Sequence, residues 1–275
     1  MSILDSIILG IVEGLTEFLP VSSTGHLTIT EKLLGLPVDS PAVTAYTAVI
    51  QMGAIAAVLL FFWRDILAIA TAWVGGLASR SRRDSADYRL GWYVIIGSVP
   101  VGLVGLLAKD VITGPLRSLW WVAGALIAWS AVMILAEHRG SQRRDLSRVR
   151  LLDAIVIGLA QCISLVPGIS RSGATISAGL LAGLDRVTAT RLSFFLSIPA
   201  LTAAGLYELK DVVGSNVGIA PTVVGTAVSF VVAYAAIAWL LRFVAGHSIV
   251  AFVPYRVALG GVLLALLGTG VMTAT

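Results

Sequence analysis

Long apolar runs dominate the chain and determine which elements it predicts. An α-helix needs roughly 20 consecutive apolar residues to cross the hydrocarbon core of a bilayer. Six runs come close to this length without interruption, and they predict transmembrane helices over residues 42–63, 91–108, 119–136, 190–207, 221–241 and 254–272. The pattern therefore predicts an all-α polytopic membrane protein with about six transmembrane helices.

Two further apolar stretches, residues 3–34 and 152–184, are broken midway by proline, glycine and hydroxyl-bearing residues. The interruptions are LPVSSTG in the first stretch and VPGISRSG in the second. Irregular backbone at membrane depth is tolerated only where protein or a water-filled cavity satisfies its amides and carbonyls. We therefore predict two re-entrant helix–loop–helix hairpins that face each other inside the bundle. Two ordinary kinked spans in place of each hairpin are the alternative.

Composition agrees with a membrane protein. Hydrophobic residues make up 57% of the 275 and charged residues 12%, and the mean hydropathy is +0.95. Soluble domains carry about 25% charged residues, so a soluble protein with a large core is disfavoured. The single cysteine, Cys162, has no partner for an intramolecular disulfide. The first residues lack a basic segment and a small-residue cleavage site, so no cleaved signal peptide is expected.

Arginines predict the orientation of the chain in the membrane. Residues 80–89 contain four arginines and residues 137–150 contain five, and two predicted spans separate these segments. Both segments therefore lie on one face, which the excess of basic residues predicts to be cytoplasmic. Following the chain through the remaining spans places five further arginines on that face: Arg64, Arg186, Arg191, Arg242 and Arg256. Both termini are then expected to face outward.

A weak internal repeat relates the two halves of the chain. A shift of 148 residues aligns Asp5 with Asp153, Gly10 with Gly158, Glu13 with Gln161, Ser22 with Ser170 and Gly25 with Gly173. Each half would hold one hairpin and three spans, and this odd count inverts the second half relative to the first. We expect one integral membrane domain over 1–275, with pseudo-repeats about 1–136 and 151–275 joined by the basic segment 137–150.

The polar segment EGLTEFLPVSSTGH carries two carboxylates, Glu13 and Glu17, one helical turn apart. A charge at the bilayer centre costs about 2.5–3.5 kcal/mol on insertion scales. Two neighbouring carboxylates cost more unless one is protonated or a cation joins them. Carboxylate oxygens are the ligands that Mg²⁺ and Ca²⁺ prefer. A site for a divalent cation, Mg²⁺ or Ca²⁺, is therefore predicted at this pair, and a shared proton is the alternative.

Hydroxyl-bearing residues and a histidine follow this acidic pair. Ser22, Ser23 and Thr24 are suited to capping a helix that begins there, since hydroxyls accept hydrogen bonds from free helix amides. Gly25 permits close approach of another backbone, and His26 can donate or accept a proton near neutral pH. The segment therefore supplies a candidate nucleophile and a candidate proton carrier, with helix capping as the structural alternative.

The second broken stretch contains PGISRSGAT, residues 167–175. Arg171 offers a planar fork of donors suited to phosphate oxygens, unless it serves only as an ion-pair partner of a glutamate. The residues around it are typical of an anion-binding turn that leads into a helix N-terminus. They are Gly168, Ser170, Ser172, Gly173 and Thr175. Together, the two loops contain the groups that phosphoryl transfer requires.

These two segments resemble the signature motifs of a known family. An acidic stretch that leads into PxSSxGH, together with PGxSRSGxT, is similar to the bacitracin-resistance family of undecaprenyl-diphosphate phosphatases. The resemblance covers essentially the whole chain and includes VIQMGAIAAVLLFFWR. It implies an integral membrane phosphatase that converts undecaprenyl diphosphate to the monophosphate carrier of envelope polymer synthesis. It also implies a divalent cation and an active site open to the outer face of the cytoplasmic membrane.

Carried over by position, the resemblance makes Glu13 and Glu17 the acidic pair, Ser22, Ser23 and His26 the first catalytic loop, and Ser170, Arg171 and Thr175 the second. The chemistry of the residues adds roles as hypotheses: Glu17, Ser23, His26 and Arg171 are the predicted catalytic residues, with Glu13 and Glu17 at the cation. The predicted phosphate-binding residues are Ser22, Thr24, Gly168, Ser170, Arg171, Ser172, Gly173 and Thr175. Ser23 is the preferred nucleophile, and either Glu17 or His26 would take its proton. A water activated by His26 is the alternative chemistry.

Other functions and partners follow from the same pattern. Broken helices and inverted repeats also characterise secondary transporters, so a lipid-phosphate transporter or flippase is the main competing function. A structural or scaffold protein would leave the intramembrane Glu and Arg residues unexplained. The expected partners are a polyprenyl diphosphate substrate and membrane lipids, with no nucleic acid. Small-residue runs such as YRVALGGVLLALLGTG can pack within one chain or between chains, so a homo-oligomer stays open.

Overall fold

The computed structural model describes residues 1–38, 40–113, 116, 118–213 and 217–274 of the chain. These residues form twelve α-helices, and they contain no β-strand. The helices are α1 (Ile3–Thr16), α2 (Ser23–Leu33), α3 (Pro41–Phe61), α4 (Trp63–Ala78), α5 (Ala86–Leu107), α6 (Lys109–Thr113), α7 (Leu119–Arg139), α8 (Leu151–Ile163), α9 (Arg171–Leu181), α10 (Arg186–Val213), α11 (Ile219–Gly246) and α12 (Val253–Gly268).

The predicted all-α fold with six apolar spans is confirmed. Among the described residues, six helices are long and apolar enough to cross a membrane: α3, α5, α7, α10, α11 and α12 with the short turn before it. Several extend beyond their predicted bounds. The helix α5 begins at Ala86 because Ser85 caps it by accepting a hydrogen bond from the Tyr88 amide. The first turn contains charged residues, so the apolar run that predicted this span begins later than the helix does.

One helix was not predicted. The helix α4 follows α3 after a break at Phe62, where the backbone leaves the helical region (φ −102°, ψ 21°). Only Gly76 is buried within α4, and most of its large apolar side chains are exposed, including Trp63 and Leu67. At 16 residues it is shorter than a typical transmembrane span. Its apolar run is therefore too short to predict a span.

Each of the two broken stretches forms a pair of short helices. The first pair is α1 and α2 and the second is α8 and α9, and non-helical backbone separates the members of each pair. Ser22 and Ser170, which the repeat aligns, have the same unusual φ of 76°. Each caps the next helix by accepting a hydrogen bond, from the Gly25 amide and the Gly173 amide respectively. The two loops are therefore locally alike, while the re-entrant insertion and the inverted repeat stay predictions.

The short helices of each proposed half pack against a span of the other half. The helix α1 lies against α11, and α8 lies against α5. A Cβ atom on Gly10 would lie 2.6 Å from the Gly225 carbonyl oxygen, and Gly158 approaches the Gly97 backbone even more closely. Small residues allow such close backbone contact between membrane helices. Helices from the two predicted pseudo-repeats thus pack against each other, while the boundaries of the repeats stay a prediction.

Ion pairs fix the basic segment 137–150 to the bundle. Arg144 pairs with the buried carboxylate of Asp153 and donates a hydrogen bond to the Ala182 carbonyl. Arg186 pairs with Glu137 at the end of α7. Asp153 also accepts a hydrogen bond from the Arg150 amide and so caps α8. The start of α8, and with it the loop that α8 leads into, is therefore held in a defined position.

Candidate active site

The two polar loops lie against each other at the centre of the candidate site. The Gly168 amide of the second loop donates a hydrogen bond to the Ser22 hydroxyl of the first (3.1 Å). In the opposite direction, the Ser172 hydroxyl donates to the Leu19 carbonyl (2.9 Å). Both contacts join residues about 150 positions apart, so the loops form one polar site.

Glu17 accepts hydrogen bonds from three side chains in this site. Arg171 Nη2 lies 2.7 Å from Glu17 Oε1 in a buried ion pair. The Ser23 hydroxyl donates to Glu17 Oε2 at 2.5 Å, and Gln51 Nε2 lies 3.3 Å from the same oxygen. The contacts from Ser23 and Arg171 are the short ones, while the Gln51 contact is longer. Of the two proton acceptors that the sequence proposed for Ser23, Glu17 is the one in contact with it.

Glu13 lies one turn from Glu17 and is completely buried. Neither of its carboxylate oxygens has a hydrogen-bond partner among the described residues. Its polar neighbours are Glu17, Gln51 and Arg171. Buried polar groups are nearly always partnered in folded proteins. Glu13 therefore has two buried oxygens available to a ligand, whereas the oxygens of Glu17 are engaged by protein groups.

Gln51 is a site residue that the sequence did not identify. It lies in α3, and its amide reaches Glu17 across 34 residues of chain. In the sequence, Gln51 is a single polar side chain within the apolar segment VIQMGAIAAVLLFFWR, which the family resemblance includes, and it could equally have satisfied backbone. Because Gln51 is far from the acidic pair in the sequence, no spacing between them predicted this contact.

Arg171 is oriented by the first loop and still has donors to spare. One Nη nitrogen binds Glu17, while the buried Nε and Nη1 nitrogens have no partner among the described residues. The guanidinium also lies over the Phe18 ring, 5.9 Å from its centroid. A guanidinium with two unpartnered donors beside a buried carboxylate is suited to a phosphate group.

His26 does not contact Ser23 through any hydrogen bond in the described structure. Its Nδ1 atom lies 2.7 Å from the Ser22 carbonyl oxygen, and its Nε2 atom lies 2.6 Å from the Tyr255 hydroxyl. Tyr255 lies at the start of α12 and had no motif that would have marked it in the sequence. The histidine is therefore held beside the first loop by two partners, one of them unexpected.

The remaining predicted phosphate-binding residues mostly shape the loops. Ser22 and Ser170 cap helices, and the Thr175 hydroxyl donates to the Arg171 carbonyl (2.8 Å). Gly168 has φ +100° and packs against the Val122 backbone, where a side chain would not fit. Thr24 is exposed, unlike its neighbours. Arg171 is the first residue of α9, so the backbone amides of the second loop and of the first turn of α9 belong to the same chain segment as its guanidinium group.

Arg256, one of the arginines counted toward the cytoplasmic face, does not lie in an exposed loop. Its side chain is fully buried beneath the two loops. Its guanidinium donates to the carbonyls of Pro20 (2.9 Å), Gly168 (3.0 Å) and Ile169 (3.2 Å), and its Nε donates to the Ser130 hydroxyl (3.2 Å). These carbonyls belong to irregular backbone, which has no helical partners. Arg256 therefore supplies the hydrogen bonds that both loops lack.

Comparisons with known proteins give one consistent result. The family model described as bacitracin resistance protein BacA matches residues 6–262. The chain is 57% identical to the undecaprenyl-diphosphatase of Acidothermus cellulolyticus over 275 residues, covering 100% of each chain. It is 58% identical to undecaprenyl-diphosphatase 1 of Streptomyces coelicolor, covering 99% of this chain and 98% of that protein. A protein of the same name from Mycobacterium sp. is 52% identical over the full length of both chains.

Replacing Arg256 with lysine is expected to destabilise the protein. A lysine ammonium has three donors on one atom and cannot reach all four acceptors that the guanidinium reaches. Each buried acceptor left unsatisfied costs about 1–3 kcal/mol. Since 1 kcal/mol corresponds to roughly 2–4 °C in a protein of this size, thermal unfolding in detergent should begin about 5 °C lower or more. The matched control is Arg242→Lys on the exposed side of α11, and equal melting temperatures for both variants would contradict this role.

Proposed function

The chain belongs to the BacA family of bacitracin resistance proteins, and on that basis we propose that it hydrolyses undecaprenyl diphosphate to undecaprenyl phosphate and inorganic phosphate. This reaction recycles the lipid carrier of peptidoglycan and envelope polymer synthesis. Relatives that share 52–58% of their residues with this chain carry the name undecaprenyl-diphosphatase. The observation in the structure that supports the reaction most directly is the hydrogen bond from Ser23 to Glu17 beside Arg171.

Ser23 is the proposed nucleophile. Its oxygen attacks the terminal phosphorus of the lipid diphosphate while its proton passes to Glu17, 2.5 Å away. The bond between that phosphorus and the bridging oxygen breaks, and undecaprenyl phosphate leaves with the bridging oxygen. A water then attacks the phosphoserine, the bond between phosphorus and the Ser23 oxygen breaks, and Glu17 returns its proton to that oxygen. Inorganic phosphate keeps the hydroxyl of the water, whose other proton leaves with the products.

Arg171 is the proposed phosphate clamp. Its ion pair with Glu17 holds that carboxylate beside Ser23, where it can accept the serine proton. The unpartnered Nε and Nη1 donors are available to the phosphate oxygens, where negative charge increases during the reaction. One guanidinium would therefore both orient the base and bind the reacting group.

A divalent cation, Mg²⁺ or Ca²⁺, is the proposed cofactor. The two unpartnered oxygens of Glu13 fit such an ion, and Glu17 lies one turn away. No group of three His, Cys, Asp or Glu side chains suited to a metal occurs in the described part of the chain. Protein ligands would therefore be few, and substrate phosphate and water would complete the shell. When bound, the ion would neutralise charge on the diphosphate.

The proposed location is the bacterial cytoplasmic membrane, with the site open to the outer side. Six apolar helices support a multi-pass membrane protein surrounded by lipid. The substrate is itself a lipid whose chain remains in the bilayer. A transporter or flippase with the same loops is not favoured, because transport requires binding groups but no nucleophile hydrogen-bonded to a carboxylate.

Replacing Ser23 with alanine should abolish a phosphoenzyme intermediate. With lipid diphosphate labelled at the terminal phosphate, acid quenching of the purified protein in detergent should trap label on the native chain. The variant should trap none and release phosphate about a hundredfold more slowly or worse, because it lacks the nucleophile. The control is Ser164→Ala, whose hydroxyl donates only to the Gln161 carbonyl.

Two results would contradict this chemistry in different ways. Turnover by the native protein without labelled protein under any quench would indicate direct attack by water, for which His26 is the candidate activator. Transport of the lipid without any phosphate release would instead contradict the phosphatase function itself.

Replacing Glu13 with glutamine should weaken the dependence on the cation. Removal of the charge should raise the Mg²⁺ or Ca²⁺ concentration for half-maximal activity about tenfold or more, as for other changes around metal sites. Thermal stabilisation by the same ion should decrease in parallel, since a bound ligand stabilises the folded state. The control is Asp110→Asn on the exposed side of α6. An unchanged ion dependence in the Glu13 variant would exclude this residue from the cation site.

A further inference from the structure

The hydrogen bonds of His26 define its tautomer. A carbonyl oxygen only accepts hydrogen bonds, so the 2.7 Å contact to the Ser22 carbonyl requires the proton on Nδ1. In the neutral ring, Nε2 is then an acceptor. The Tyr255 hydroxyl, 2.6 Å away, is the group that donates to it. Tyr255 thus stabilises the one tautomer that can hold the Ser22 carbonyl.

The carbonyl that His26 holds belongs to the peptide bond between Ser22 and Ser23. Ser22 has φ 76° and ψ 93°, a strained conformation for a non-glycine residue. Such backbone persists only where neighbouring groups fix it. The Nδ1–H of His26 is one of these groups, and the peptide it holds carries the proposed nucleophile. The orientation of Ser23 therefore depends on the position of the imidazole.

Tyr255 lies next to a buried anchor of the loops. It precedes Arg256, whose buried guanidinium is bound to both loops. Its ring lies nearly parallel to the imidazole of His26, with centroids 5.6 Å apart and an angle of 15° between the planes. Two consecutive residues at the start of α12 therefore contact the site: the Tyr255 hydroxyl reaches His26, and the Arg256 guanidinium reaches the loops.

We propose that Tyr255 is a positioning residue for the phosphatase reaction, which acts through His26 and the Ser22 carbonyl to orient the Ser23 hydroxyl. Without the tyrosine hydroxyl, the tautomer with a proton on Nε2 becomes accessible. In that tautomer the Nδ1 lone pair faces the Ser22 carbonyl and repels it. The strained peptide then loses a partner, and Ser23 is no longer held toward Glu17 and the substrate. This role rests on the proposed function of Ser23.

The variant Tyr255→Phe tests this role, because it removes the hydroxyl and keeps the ring. We expect kcat to fall about tenfold to a hundredfold, as for a misplaced reacting group, while KM stays within about twofold. The melting temperature should stay close to that of the native protein. The matched control is Tyr234→Phe, whose ring packs against Phe61, and its kcat should equal that of the native protein.

Nitrogen NMR gives a second readout that does not require activity. The chain contains three histidines, so ¹⁵N-histidine spectra can be assigned in a background of His138→Gln and His247→Gln. His26 should show the tautomer protonated on Nδ1 in the native protein and a mixture of tautomers in Tyr255→Phe.

The outcomes separate this proposal from the proposed function. A change in kcat without a change in tautomer, or the reverse, would overturn the role of Tyr255, as would no change in either. If the native protein released no phosphate, the proposed function would fail, and the NMR comparison would still decide whether Tyr255 fixes His26.

Discussion

The buried ion pair between Arg171 and Glu17 is the interaction on which the site depends. Each partner comes from a different polar loop, and neither charge could be buried alone without a large desolvation cost. Removing one partner of a buried pair typically costs about 3–5 kcal/mol, because the other charge stays uncompensated. The two loops are therefore required to meet in one register. The same carboxylate then receives Ser23 and Gln51, so one contact organises both base and nucleophile.

The surrounding helices provide the hydrogen bonds and close contacts that the irregular backbone of the two loops needs. Proline and glycine break each polar stretch, which leaves carbonyls without helical partners. Arg256 at the start of α12 binds three of these carbonyls, and the close approach of Gly168 to the Val122 backbone in α7 brings the second loop against the bundle. The chemistry of the loops therefore relies on two helices that contribute no predicted motif. The site is built from neutral backbone as much as from charged side chains.

The spans and the polar loops were predictable because lipid imposes a simple rule. Backbone in hydrocarbon must be helical and its side chains apolar, so long apolar runs predict spans, and polar residues within them indicate a site. The rule does not identify single residues that reach the site from other helices. Gln51 and Tyr255 reach the site from 34 and 229 residues away, and neither belongs to the two polar signature motifs. Counting charges treats each arginine as a loop residue, so it gave no sign that Arg256 is buried against the two polar loops. The helix α4 was missed because its run is shorter than a span.

A structure of the protein with a non-hydrolysable undecaprenyl diphosphate analogue tests the central claim most directly. If the two loops form one phosphatase site, the terminal phosphate lies between the Ser23 hydroxyl and the unpartnered nitrogens of Arg171. The phosphorus should be within about 3.5 Å of the serine oxygen, as a near-attack geometry requires. A terminal phosphate bound away from either of these residues would contradict the claim that the loops act as one site.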